Sequence, residues 1–95
     1  MTIDKLRNAI RISNSKADEE IKDLLEACKV DLSMKGIKKI DEKDPIIFQA
    51  IKLYVKANFG LDNKESEKYT KAYEGLRDSI SLCGDYNVEW VLYIG

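Results

Sequence analysis

The sequence predicts an all-α protein: a compact four-helix domain over residues 1–86, followed by a short extended or β tail over residues 87–95. Three observations carry this. Apolar residues recur at helical spacing in successive segments. The glycines at 36, 60 and 84 each follow such a segment, and Pro45, the only proline, opens one. Only Val88–Ile94 is dense in β-branched and aromatic residues, behind a Gly-Asp turn signal.

The first helix is short. Thr2 stands at its cap, and Ile3, Leu6, Ala9 and Ile10 share a face. Ser13-Asn14-Ser15 ends it, because these side chains compete for nearby backbone groups. Ser15 with Asp18 has the spacing of a capping box that opens the second helix. That helix carries Ala17, Ile21, Leu24, Leu25, Cys28 and Leu32, and its first turn holds Asp18, Glu19 and Glu20, where the helix dipole favours acids. Gly36 sits where a left-handed cap belongs. Residues 37–43 form a connection tacked down by Ile37 and Ile40.

The third helix, DPIIFQAIKLYVKANFG, has a start, a wet side and a stop. Asp44 is its N-cap, and Pro45 takes the first helical position, where a missing N–H costs nothing. Ile46, Ile47, Ala50, Leu53, Tyr54 and Ala57 make the main stripe, and Ile51 and Val55 widen it. Gln49, Lys52, Lys56 and Asn58 are the wet positions. An apolar arc this broad has two compatible readings: a central helix surrounded by the other three, or a helix that packs its own bundle on one side and a neighbouring subunit on the other. The fourth helix starts near Asn63, with Tyr69, Ala72, Tyr73, Leu76 and Ile80 on one face. The tail reads as a strand without a partner of its own, and its backbone groups need pairing.

A chain of 95 residues makes one domain with one modest core. Sixteen basic against seventeen acidic residues leave neither a basic block for a phosphate backbone nor an acidic tail. The N-terminal segment interleaves charges with apolar residues, so neither a signal peptide nor a membrane span is expected, and the chain is expected in a cytoplasm. In that compartment Cys28 and Cys83 are read as small core residues, not as a disulfide.

The inventory for catalysis is thin. With no histidine, the usual general base and the commonest transition-metal ligand are missing. Two distant cysteines make no metal site, and isolated glycines make no phosphate loop. Asp18, Glu19 and Glu20 read as solvated first-turn acids, and Lys35, Lys38, Lys39 and Lys43 as a solvated loop mixed with Asp41 and Glu42. Tyr69 and Tyr73, one helical turn apart, read as core in preference to a stacking platform. No catalytic, cofactor or metal residue is assigned, and an enzyme is not expected. Trp90 either seals the chain's own core or anchors an interface.

The helix order with its particular residues resembles the head–tail connector (adaptor) proteins of tailed phages and prophages, of the "possible DNA-packaging" type. The resemblance rests on the opening helix Thr2–Arg7 and on Asp18, Ile21, Leu24, Leu25 and Ala27. It continues through Asp44-Pro45 with Ala50–Gly60, then Ala72-Tyr73-Glu74-Gly75-Leu76-Arg77, and ends on Cys83-Gly84-Asp85-Tyr86. It departs from the family at Asp62-Asn63-Lys64, where an arginine is common, and in the strand-like tail.

The resemblance implies a structural role: a homo-oligomeric ring below the portal protein at the capsid vertex. Such a ring extends the DNA channel and offers a platform to a downstream head-completion or tail protein. DNA passes through its lumen without sequence-specific binding, no membrane is involved, and no cofactor is needed. Assembly is expected in the host bacterial cytoplasm, and the final place is the head–tail interface of the virion. Ile51 and Val55 on the third helix, with Val88, Trp90, Leu92 and Ile94 on the tail, are the expected contacts with a neighbouring subunit or the portal. The alternative is a small helical DNA-binding protein, a terminase small subunit or a regulator. Only Gln49, Lys52, Lys56 and Asn58 approach a recognition face.

Overall fold

The computed structural model describes residues 2–11, 15–59 and 64–87. Within them the protein is all-α: α1 (Thr2–Ala9), α2 (Asp18–Met34), α3 (Pro45–Asn58), α4 (Ser66–Ser81) and the single-turn α5 (Gly84–Asn87). α3 is the centre, with α4, α2 and α1 all packed on it. That is the first of the two readings of its broad apolar arc. No strand occurs among the described residues; Asn87, expected to open the tail, ends α5 instead, and Val88–Ile94 lies outside the described residues.

The buried face of α3 is rotated from the predicted main stripe. Ile47, Ala50, Ile51 and Val55 are fully buried, whereas Ile46 is 46% exposed. Ile47, Ile51 and Val55 are one turn apart and form the ridge on which the other helices close. Leu6 of α1, Ile21, Leu25, Cys28 and Leu32 of α2, Ile37 of the connection, and Tyr73 and Ile80 of α4 complete the core. Each fully buried branched side chain contributes about 1.5–3 kcal/mol.

Several ends follow the local chemistry. The Asp44 carboxylate accepts the amides of Ile46 at 2.8 Å and Ile47 at 3.4 Å, so α3 is capped as its Asp-Pro start predicts. At the C-terminus of α2, Gly36 takes φ +98°. Its amide donates to the Ser33 carbonyl at 3.0 Å and that of Ile37 donates to Leu32 at 3.1 Å, while Ile37 and Leu32 are both buried. This is a complete Schellman stop with its hydrophobic contact.

Other ends differ from expectation. Thr2 lies inside α1. The N-cap of α2 is Ala17, without a side-chain cap bond. The 3-10 turn Ser15–Ala17 feeds the chain directly into that helix, and Asp18 turns instead to Arg7 of α1 in an ion pair at 2.8 Å. α4 begins at Ser66, whose hydroxyl donates to the Ala57 carbonyl at 2.6 Å and ties the start of α4 to the end of α3. Ala72 and Cys83 are exposed, against the prediction of core positions. Burial on α4 follows Tyr73 and Ile80, and Ala72 falls just beyond that edge. Gly60, the predicted stop of α3, lies outside the described residues.

Candidate functional site

Two polar assemblies join parts of the chain that are distant in sequence. The first is a seam between α2 and α4. The Tyr73 hydroxyl donates to Asp31 Oδ2 at 2.5 Å, and Arg77 Nη1 donates to the same oxygen at 3.1 Å. Arg77 Nε reaches Asp78 Oδ1 at 3.0 Å, and Lys35 Nζ approaches that oxygen at 3.3 Å. The Tyr73 ring meets the Tyr54 ring edge-on, with centroids 5.1 Å apart, and the Cys28 thiol lies 3.9 Å from the Tyr73 hydroxyl. Burial, and then the bond to Asp31, pushes the Tyr73 phenol well above its ordinary range. Burial pushes the Cys28 thiol up to about 12. Neither group ionises near neutral pH, so this cysteine has no thiolate with which to act as a nucleophile. The seam is an arrangement for holding helices.

The second assembly is a clamp built by Tyr86 of α5. Its carbonyl accepts the amides of Lys38 at 2.6 Å and Lys39 at 3.1 Å, and its hydroxyl donates to Asp44 Oδ2 at 2.9 Å. One residue therefore satisfies the connection between α2 and α3 and also takes the second oxygen of the α3 cap. Burial raises the Asp44 pKa, but the Tyr86 hydroxyl and the two helix amides outweigh it and hold the carboxylate below its usual range. The Cys83-Gly84-Asp85-Tyr86 segment thus has a physical purpose: a single helical turn that returns the chain to the front of α3.

The residues expected at a subunit contact fall into two groups. Ile51 and Val55 are fully buried in the chain's own core, so neither leaves surface for a neighbour. Val88, Trp90, Leu92 and Ile94 lie outside the described residues. Among the described residues the large apolar side chains that are exposed are Val30 at 58%, Met34 at 82%, Leu82 at 86% and Ile46. The first two share the outer edge of α2, and helical spacing from Leu25 and Cys28 is the signal that places them there.

Little of α3 is free for recognition. Lys52 lies over the Phe48 ring at 5.7 Å and Lys56 over the Tyr69 ring at 5.4 Å, on a helix already packed by three others. An open groove of about 500 Å³, lined by residues that include Arg11, Lys56, Phe59 and Tyr69, mixes charges of both signs. Among the described residues no group of three or more His, Cys, Asp or Glu is placed to hold a metal ion, and no helix is long and apolar enough to cross a membrane.

Both polar assemblies hold parts of one small helical unit together, the arrangement of a packing module. The chain is a member of the phage connector protein family, which matches residues 2–87. No curated protein and no solved structure matches it. The family is a structural one that links head to tail, in agreement with the resemblance read from the helix faces.

Proposed function

We propose that the chain is one subunit of a homo-oligomeric ring that sits below the portal, extends the DNA channel and receives a downstream head-completion or tail protein. The observation that carries this is the family match over nearly the whole chain. A ring needs two different side surfaces that meet by a closing rotation, and a rigid, self-satisfied helical body suits that use. The near-even charge, −1 overall, suits a lumen through which duplex DNA passes without being held. Val88–Ile94 docks on a neighbouring subunit or the portal by strand addition, with Trp90 as the anchor.

Analytical ultracentrifugation of the chain alone, and mixed with the portal protein of the same phage, tests this reading. A ring-sized species or co-sedimentation with the portal is the expected result. A monomer that ignores the portal overturns it. Deleting residues 87–95 leaves Tyr86 in place, so the helical domain stays folded while assembly weakens. A truncated chain that cannot fold would assign the tail to its own core.

A further inference from the structure

We infer that the outer edges of α2 and α4 are the two complementary halves of a contact between copies of this chain. This rests on the ring reading and gives it a surface. Inside one copy, α2 and α4 run in the same direction. Cys28 meets Tyr73, and Asp31 meets both Tyr73 and Arg77, so positions that meet across the two helices are 42 to 46 residues apart. Further along both helices, Lys35 meets Asp78.

Each helix lays one edge on the core and turns the opposite edge to solvent. On α2 that outer edge presents Asp23 and Glu26, then Val30 and Met34. On α4 it presents Lys68 and Lys71, then Gly75 and Ser79. At the offset of Cys28 and Tyr73, 45 residues, which lies within that span, Asp23 is level with Lys68, Glu26 with Lys71, Val30 with Gly75 and Met34 with Ser79. The acids of one edge stand level with the bases of the other. The protruding apolar side chains stand level with the smallest ones. The flanking residues Lys22 and Glu67 keep the opposition with the signs exchanged.

A rotation about a ring axis preserves height along that axis. The proposed contact sets α2 and α4 near the axis direction, so that level positions of neighbouring copies come together. Gly75 supports this assignment. A Cβ built there meets nothing within 4 Å, so packing inside the chain does not require glycine, although mid-helix glycine lowers stability. Close approach of a neighbour's Val30 supplies the requirement. Among the described residues Glu26 pairs with Lys29, at 3.6 Å, and Lys71 with Glu67, at 3.2 Å, both within their own helices. Exposed pairs of this kind are weak and are exchanged readily.

Two double variants test the contact by sedimentation, alone and with the portal: Asp23→Lys with Glu26→Lys, and Lys68→Glu with Lys71→Glu. Circular dichroism first establishes that both are folded. Each variant alone is expected to assemble at least about ten-fold more weakly than the parent, because like charges then face each other. An equimolar mixture is expected to recover assembly, because in alternation the reversed α2 edge of one variant meets the reversed α4 edge of the other, and unreversed edges meet each other, so opposite charges face again. Gly75→Leu is expected to raise the melting temperature while weakening assembly. Variants that assemble like the parent, or a mixture that stays dissociated, overturn this pairing while the ring stands. A parent chain that never assembles, alone or on the portal, overturns the ring and this contact with it.

Discussion

The layer between α3 and its neighbours and the seam between α2 and α4 both hold helices of the same small domain together, and they are built in opposite ways. The first is dry, a ridge of Ile47, Ile51 and Val55 under Leu6, Ile21, Leu25 and Leu32. The second is polar, with Asp31 holding Tyr73 and Arg77 at once. The dry layer supplies free energy without direction, since apolar burial is proportional to area. The seam supplies direction with less free energy, since each hydrogen bond replaces one to water. Where α2 and α4 meet edge to edge, an angular constraint is what keeps them level.

Substitutions separate the two contributions. Ile51→Ala removes the middle of the ridge and leaves a cavity under three helices, so it is expected to lose about 3–4 kcal/mol in urea or thermal unfolding. A loss below about 1 kcal/mol would mean that α3 is not central. Asp31→Ala strips the seam of its shared acceptor. Asp31 is partly solvated, with its side chain 36% exposed, so the expected loss is smaller, about 2 kcal/mol. A double-mutant cycle with Tyr73→Phe is expected to show coupling above about 0.5 kcal/mol, and additivity would show that the two groups act separately.

The clamp comes next. Tyr86→Phe leaves the carbonyl bonds to Lys38 and Lys39 in place and removes only the hydroxyl donor to Asp44, so about 1 kcal/mol is expected to go near neutral pH. The folded state holds the Asp44 carboxylate below its usual range. Its contribution is therefore complete above the unfolded value near pH ~4 and is lost as pH falls through the folded value. Unfolding measured against pH is expected to show the parent and the variant converging on the acid side. A constant difference down to low pH would place the effect elsewhere. Gly36→Ala is the smallest change, a loss of about 1 kcal/mol or less by thermal melting, because only the backbone conformation at φ +98° resists it and no neighbour crowds the site.

The dry layer was largely legible in the sequence, and the seam and the clamp were not. Leu6, Ile21, Leu25, Cys28 and Leu32 announce their faces by spacing. Tyr73 was legible as core, but its bond to Asp31 joins residues 42 apart, as does that of Tyr86 to Asp44. The reading of α3 shows the limit of periodicity. Ile51 and Val55 look surplus beside a stripe centred on Leu53 and Tyr54, yet with three partners packed on α3 both are enclosed. The exposure of Ala72 and Cys83 fails for the converse reason: small apolar residues at helical spacing do not say where the partner helix stops.

What the sequence determined by itself is therefore local. The Asp44-Pro45 start of α3 and the Gly36 stop of α2 follow from bonds that span five residues or fewer, and such bonds form wherever the segment becomes helical. The all-α class follows from periodicity in the same way. The tertiary structure alone decided which edge of α3 is enclosed, that Asp31 serves Tyr73 and Arg77, and that Tyr86 returns to close the cap of α3. Those pairings depend on the angles and heights at which the helices pack, and a period of 3.6 residues carries information about a helix's own faces but none about the height of its neighbour.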